Sequence, residues 1–200
     1  PAGFEKIRGL VNNAGLALGV DAAQNCSLDD WETMVDTNIK GLMYTVRATL
    51  PAMVVRKEGH VVLTGSIAGD YPYPGGNAYG ATKAALINMA ESLKFDLDRL
   101  GIRLQIISPG FVDTPGTAHI RFLRPASVTS EEAARRIVAG LKSRRFEIAF
   151  PRRFAYAVKL MDLLPYSLYF RVLSWLTRGK AEAMEGKKHA GPGGHPRQAV

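Results

Sequence analysis

Short apolar segments alternate with long amphipathic ones along this chain, and that alternation is the feature that most constrains its fold. Apolar runs bounded by glycine, proline or asparagine predict four strands, at 8–12, 60–64, 102–107 and 146–150. Between them, apolar residues that recur every three or four positions predict three helices, at 28–58, 78–99 and 129–142. Long helical connections are typical of parallel strands, because a parallel connection must cross the sheet. We therefore predict an α/β fold: a three-layer, doubly wound parallel sheet.

The two ends of the chain depart from this regular pattern. The first predicted strand begins at residue 8 with nothing before it to pair its outer edge, and an open edge is a liability. We therefore expect an N-terminally truncated sheet, the later part of a larger one. At the other end, residues 152–177 are predicted to be helical with a break at Pro165, and the Gly-, Lys- and His-rich residues 180–200 predict a disordered basic tail. One domain would then span residues 1–179.

Composition excludes several classes of protein. Cys26 is the only cysteine, so the chain has no intrachain disulfide and no cysteine-based metal cage, and the four histidines lack metal-ligand spacing. One thiol also favours a reducing, cytoplasmic setting. Residues 1–117 carry 10 basic and 12 acidic side chains, whereas residues 118–200 carry 16 and 6. This basic part is compatible with an anionic partner and with a plain solvated face. No nucleic-acid recognition motif accompanies it, so we predict no nucleic-acid partner. From the cysteine and histidine pattern we also predict no metal.

Four polar residues fall where the pattern predicts burial or the end of a strand. Asn38 lies on the apolar stripe of the first helix, where a buried amide needs partners; a helix–helix hydrogen bond is one explanation. Tyr79 and Lys83 are four residues apart and share one helix face, so we expect the ammonium to lower the Tyr79 pKa toward neutrality. Ser66 follows the second strand, at the edge where ligands bind in open α/β sheets, although turn and cap serines also occur there.

These residues belong to an ordered set of motifs. In chain order they are Asn13-Ala14-Gly15, Asn38, Ser66, Tyr79-Gly-Ala-Thr-Lys83 and Pro109-Gly110-Phe-Val112-Asp-Thr114. In this combination they closely resemble the short-chain dehydrogenase/reductase family, over about residues 8–150. The resemblance implies a Rossmann-like fold and reversible hydride transfer between NAD or NADP and an alcohol/carbonyl pair.

The resemblance also implies a role for each residue. Tyr79 would be the general acid/base, Ser66 would orient the substrate oxygen, and Lys83 would hold the nicotinamide ribose and lower the Tyr79 pKa. Asn38 would keep the helix geometry and a water of the proton relay. The cofactor-binding positions would be Asn13, Ala14, Gly15, Tyr79, Lys83, Pro109, Gly110, Val112 and Thr114. Of these, Asn13 would lie on the adenosine side, and Val112 and Thr114 would meet the nicotinamide carboxamide.

The chain departs from the family pattern at its start. Family members begin with a strand, a glycine-rich Thr-Gly-x-x-x-Gly-x-Gly turn and a helix, followed by a strand whose end selects NAD or NADP; none of these occurs in the sequence. The turn would hold the cofactor pyrophosphate at a helix N-terminus. Two hypotheses follow. The chain is a fragment of an active reductase, inactive by itself because its cofactor site is incomplete, or it is a non-catalytic binding module that keeps the back half of the fold.

Two segments suggest partners besides a small alcohol or carbonyl substrate. The helices 28–58 and 78–99 are long, and small residues in the second allow close approach; the resemblance implies that they pair into a homodimer or homotetramer. Residues 151–178 are dense in large apolar and aromatic side chains, more than one face of a solvated helix needs. They would close over the substrate pocket, pack between subunits, or lie flat on an anionic membrane, which would make the enzyme peripheral and favour a lipophilic substrate.

Overall fold

The computed structural model describes residues 6–19, 21–114 and 126–185. Within these ranges the strands and α-helices are, in order, β1 (Gly9–Asn12), α1 (Leu28–Val35), α2 (Leu42–Arg56), β2 (Gly59–Thr64), α3 (Asn77–Arg99), β3 (Ile102–Pro109), β4 (Val112–Asp113), β5 (Val128–Thr129), α4 (Ser130–Leu141), β6 (Glu147–Phe150), α5 (Arg152–Met161) and α6 (Tyr166–Glu185). Short 3-10 turns lie at Ala23–Asn25 and Ile67–Gly69.

The four predicted strands form one parallel sheet in the order β1-β2-β3-β6. Val11 of β1 pairs with Val62 of β2, and Val61 of β2 pairs with Leu104 of β3. Because all four strands run in the same direction, their carboxyl ends meet at one edge of the sheet. The two-residue strands β4 and β5 form a separate parallel pair, too short for the apolar pattern to have predicted.

Helices cover both faces of this sheet, which confirms the three-layer α/β prediction. On one face, apolar side chains of β2 and β3 pack against α2 and α3; the buried members are Leu42, Val46, Met53, Val61, Leu63, Leu86, Ala90, Leu97, Ile102, Leu104 and Ile106. On the other face, Val62 and Ile107 pack with residues of β6 against Ala133 of α4. Neighbouring residues of β2 therefore enter opposite cores, as the alternation of side chains along a strand requires.

The predicted helix 28–58 is interrupted in the structure. A π-helical segment, Asp36–Gly41, joins α1 to α2 and has Asn38 at its centre. One turn of this kind shifts the apolar stripe only slightly, so the three-and-four spacing conceals it; such turns often occur at functional sites. The Ser27 hydroxyl makes no capping hydrogen bond at the start of α1. Lys57 in the left-handed conformation ends α2, and Gly59 begins β2.

The end of α3 and the start of α4 are set by a few adjacent residues. Gly101 follows α3 with a φ of +70°, and a Cβ there would lie 2.9 Å from the Lys57 carbonyl oxygen. Glycine is therefore required at this turn both for its conformation and for the close approach. Thr129 is the N-cap of α4, and its hydroxyl accepts a hydrogen bond from the backbone N–H of Glu132.

The C-terminal part is helical as predicted, with the break at Pro165 between α5 and α6. α6 continues to Glu185, so the prediction of a disordered tail is wrong over residues 180–185; its remainder, 186–200, lies outside the described residues. No helix in the described part of the chain is long and apolar enough to cross a membrane.

α5 packs close to the edge of the sheet where the strands end. Ala155 and Val158 of α5 form a buried cluster with Ile67, the residue directly after Ser66. The C-terminal helices therefore adjoin the region in which the candidate residues lie.

Candidate active site

The carboxyl ends of β1, β2 and β3 bring separate parts of the sequence together. The Thr64 hydroxyl, at the end of β2, donates a hydrogen bond to the side-chain oxygen of Asn13, just after β1, over 3.1 Å. Gly110, just after β3, donates its N–H to the carbonyl of Phe150 in β6 over 2.7 Å. Asn13 and Pro109–Gly110 therefore lie along one edge, as expected for residues that follow parallel strands.

Lys83 reaches this edge from α3. The residue is only 5% exposed, and its Nζ donates a hydrogen bond to the carbonyl oxygen of Thr64 over 3.0 Å. Burial lowers the pKa of Lys83 to about 8, so the ammonium remains mostly charged at neutral pH. A Cβ on Gly15 would lie 3.2 Å from this Nζ and 3.4 Å from Oδ1 of Asn38. Gly15, Asn38 and Lys83 therefore meet in a space that a larger side chain at position 15 would enter.

Asn38 joins the loop after β1 to α3. Its Nδ2 donates hydrogen bonds to the Leu16 carbonyl over 2.9 Å and to the Thr82 hydroxyl over 3.0 Å, and its Oδ1 accepts from the Leu16 N–H over 2.9 Å. The Thr82 hydroxyl donates in turn to the carbonyl of Tyr79. The expected helix–helix hydrogen bond is thus present, and it links Asn38 to the turn of α3 that carries Tyr79. The predicted relay water stays a prediction.

Ser66 both caps a turn and faces the candidate tyrosine. Its hydroxyl accepts a hydrogen bond from the Ala68 N–H over 3.1 Å and donates a long one, 3.5 Å, to the Pro109 carbonyl. The Ser66 side chain is also hydrogen-bonded to the phenol of Tyr79. The two explanations for Ser66 are therefore compatible: the cap holds its hydroxyl beside Tyr79.

The electrostatics of Tyr79 differ from the expectation. Burial raises the pKa of the Tyr79 phenol, and the hydrogen bond to Ser66 lowers it only in part. The Lys83 Nζ lies 5.7 Å from the centre of the Tyr79 ring and is hydrogen-bonded to Thr64. The prediction that Lys83 lowers this pKa toward neutrality is therefore wrong for this structure, because loss of hydration outweighs the attraction of a cation at that distance. A phenol in this environment keeps its proton at neutral pH.

An aromatic wall beside Tyr79 was missed by the sequence analysis. Tyr73 lies close enough to Tyr79 to interact with it electrostatically, and burial raises the Tyr73 pKa. Tyr71 stacks on Tyr73 with ring centres 6.5 Å apart and meets Phe154 of α5 edge-on at 6.0 Å. The alternation of these two tyrosines with Pro72 and Pro74 was the signal available in the sequence.

The remaining cofactor-binding candidates, Ala14, Val112 and Thr114, lie in or just after strands. Val112 lies in β4, packed with Val128 of β5, and Thr114 follows directly. Ala14 is exposed at the end of β1. Among the described residues no cluster of three His, Cys, Asp or Glu side chains could hold a metal ion.

Residues 1–122 match the family model for short chain dehydrogenases. The match covers more than half of the chain, and the chain therefore belongs to the short chain dehydrogenase family. Its parallel sheet, covered on both faces by helices, is the Rossmann-like fold that this membership implies.

Curated relatives match the same part of the chain. The NADP-dependent 3-hydroxy acid dehydrogenase YdfG of Escherichia coli is 50% identical over 122 residues, which are 61% of this chain and 49% of that protein. The sulfoacetaldehyde reductase 2 of Chromohalobacter salexigens is 44% identical over 118 residues, 58% of this chain and 47% of that protein. The chain thus spans about half the length of the curated relatives it matches.

Solved structures show the same similarity. Serine dehydrogenase from Escherichia coli is 44% identical with a TM-score of 0.61, over 72% of this chain and 61% of that one. The closed form of serine dehydrogenase complexed with NADP+ is 40% identical with a TM-score of 0.55, over 80% of this chain and 60% of that one.

Proposed function

We propose that the complete protein is an NADP-dependent oxidoreductase that interconverts an alcohol and a carbonyl compound by hydride transfer. The observation that carries the proposal is the placement of Ser66, Tyr79 and Lys83 together at the carboxyl ends of the strands. The names of the relatives support the choice of cofactor, since YdfG is named as NADP-dependent and the serine dehydrogenase complex contains NADP+.

The residues at this edge fit the nicotinamide half of such a cofactor. The space above Gly15 and the largely buried ammonium of Lys83 are suited to a ribose, whose hydroxyls accept hydrogen bonds. We propose that Asn13, Ala14, Gly15 and Lys83 hold the cofactor from one side. Residues Pro109, Gly110, Val112 and Thr114 hold it from the other side. When bound, NADP supplies the hydride donor or acceptor.

Tyr79 then serves as the proton donor or acceptor for the substrate oxygen. In the reductive direction its protonated phenol, favoured by burial, donates a proton to the carbonyl oxygen; in the oxidative direction the phenolate accepts the proton of the alcohol. The Ser66 hydroxyl, held by the Ala68 N–H, orients the same oxygen. Asn38 positions Tyr79 through Thr82.

The relatives favour a small, anionic substrate over the lipophilic one considered above. The names of the relatives refer to 3-hydroxy acids, sulfoacetaldehyde and serine, which all carry an acidic group a few bonds from the reacting carbon. We propose that the substrate belongs to this class. The aromatic wall of Tyr71, Tyr73 and Phe154 bounds the space beside Tyr79 and limits the size of the substrate.

We also propose that residues beyond these 200 complete the cofactor site. The relatives are about twice as long as the matched segment, and the sequence contains no glycine-rich turn for the pyrophosphate. Assays of the activity therefore require the full-length protein.

The full-length protein is expected to reduce NADP+ in the presence of 3-hydroxy acids or serine and to show little activity with long-chain alcohols. The change in NADPH absorbance measures the rate, with NAD+ as the control cofactor. We expect a preference for NADP+ of about tenfold or more, the effect of one charge-assisted contact. Turnover with none of these substrates and neither cofactor would favour the non-catalytic binding module instead.

The exposed face of α3 supports a proposal on assembly. Ala81, Ala84 and Ala85 form a small-residue stripe on this face, and Phe95 continues it with 72% of its surface exposed. We propose that α2 and α3 pair with the same helices of a second copy, giving a homodimer or homotetramer.

Replacing Phe95 by glutamate is expected to shift the full-length protein to a smaller assembly in light scattering, because a buried unpaired charge is costly. Val138→Glu is the matched control, since Val138 is exposed on α4, on the opposite face of the sheet. A monomeric wild type, or equal masses for both variants and the wild type, would contradict the proposal.

A further inference from the structure

α6 is attached to the rest of the protein by a narrow stripe. Tyr169, Leu173 and Thr177 are the buried residues of its described side chains, and they recur every four positions along one side of the helix. The other described side chains of α6 are exposed, except the half-buried Val172. Most of the large side chains in α6 therefore do not serve to hold it in place.

The side of α6 opposite this stripe combines apolar and basic residues. Leu168, Arg171, Trp175 and Arg178 follow one another at intervals of three and four, which places them on one face of the helix. All four are exposed, Trp175 by 67%. The face is thus a row in which an apolar side chain alternates with an arginine.

Other exposed apolar residues lie around α6 but not on this row. Leu163, just before the helix, is 79% exposed. Phe170 and Leu176 are exposed at the two borders of the buried stripe, and Tyr166 stacks on Phe170. Leu168 and Trp175, the apolar members of the row, are termed the α6 apolar surface. Large apolar side chains exposed in a row with arginines mark an interaction site.

The charge on the segment identifies the kind of partner. Residues 151–185 contain six basic side chains and three acidic ones, Asp162, Glu182 and Glu185. Lys159 is paired with Glu147 over 2.7 Å, whereas Arg171 and Arg178 are exposed beside the α6 apolar surface. A second copy docked symmetrically on this face would bring these arginines toward their own counterparts, which disfavours self-association. An anionic, partly apolar partner is favoured instead.

We propose that the α6 apolar surface, with Arg171 and Arg178, binds the surface of a membrane that contains anionic lipids. Trp175 and Leu168 insert at the level of the headgroups, and the two arginines contact lipid phosphates. The contact is peripheral, consistent with the finding that no described helix could span a bilayer. The proposal is independent of the catalytic one, because it uses none of the residues placed in the site.

Co-sedimentation of the full-length protein with vesicles tests this proposal. Vesicles of phosphatidylcholine alone are compared with vesicles that also contain phosphatidylserine, at low and at high salt. We expect binding to the anionic vesicles at low salt, at least about tenfold weaker binding to the neutral ones, and loss of binding at high salt. Wild-type protein that stays in the supernatant with anionic vesicles at low salt overturns the proposal.

Two variants separate the apolar and electrostatic contributions. Leu168→Ser/Trp175→Ser is expected to abolish binding, and Arg171→Gln/Arg178→Gln to reduce it to the level seen with neutral vesicles. Leu28→Ser/Val138→Ser is the matched control, since both residues are exposed on other helices and should be neutral. Circular dichroism confirms that each variant is folded. Equal binding by all variants overturns the proposal, as does a change of mass in light scattering without vesicles for Leu168→Ser/Trp175→Ser, which would assign the surface to a second copy.

Discussion

Replacing Tyr79 by phenylalanine in the full-length protein is expected to lower kcat at least about 100-fold, the usual scale for the loss of a general acid/base. The substitution removes the hydroxyl that is hydrogen-bonded to Ser66 and leaves the buried ring in place. NADPH absorbance measures kcat, and a fluorescence titration measures whether NADPH still binds. Because the phenylalanine ring and Lys83 remain to contact the cofactor, the dissociation constant for NADPH should change far less than kcat.

Tyr44→Phe is the matched control for this experiment. Tyr44 is exposed on α2, and phenylalanine keeps its ring for the proposed pairing of that helix, so the same loss of a hydroxyl should leave kcat unchanged. A Tyr79→Phe enzyme with nearly normal kcat would show that the proton comes from another group, and the role proposed for Tyr79 would be withdrawn.

Replacing Lys83 by methionine is expected to weaken NADP binding by about tenfold or more, the effect of losing a charge-assisted hydrogen bond. It should also shift the pH dependence of the rate of alcohol oxidation to higher pH. The oxidative direction requires the Tyr79 phenolate, whose pKa burial already raises. Removal of a nearby cation destabilises the phenolate further, so its pKa rises and the rate increases only at higher pH.

The pKa of Lys83 makes this prediction more specific. At about 8, it implies that the wild-type ammonium loses its charge in mildly alkaline solution, and that cofactor binding by the wild type weakens there. The methionine variant has no such group, so its cofactor affinity should not show that step. Lys94→Met, on the same helix but paired with Asp98 at its far end, is the control and should leave both properties unchanged. An unchanged pH profile in Lys83→Met would contradict any electrostatic effect of Lys83 on the reaction.

The regular elements could be predicted because they are determined by local sequence. Alternation within β2 and the three-and-four spacing of apolar residues in α3 each follow from the geometry of one segment. The end of α3 at Gly101 and the cap of α4 at Thr129 are likewise properties of a few adjacent residues. The π-helical segment around Asn38 was not predicted, since it depends on hydrogen bonds to Leu16 and Thr82, which are distant in the sequence.

The candidate site was likewise predictable where it depends on local sequence and not where it depends on tertiary contacts. The spacing of Tyr79 and Lys83 was sufficient to place them on one face of one helix, and the order of the motifs was sufficient to indicate the family, which the comparison confirmed. The direction of the Tyr79 pKa was predicted incorrectly, because sequence spacing shows which charges are near but not how much water is removed.

The sequence by itself therefore determined the four strands of the main sheet, most of the helices and the parallel α/β class, because each depends on neighbours along the chain. Its resemblance to the family indicated the residues proposed for catalysis. Only the tertiary structure decided that Gly15, Asn38 and Lys83 meet in one space, and that Tyr71, Tyr73 and Phe154 form a wall beside Tyr79. It alone decided as well which side of α6 is buried and which is exposed. These features arise from contacts between segments far apart in the sequence, and the burial that sets their energies exists only once those segments are packed together.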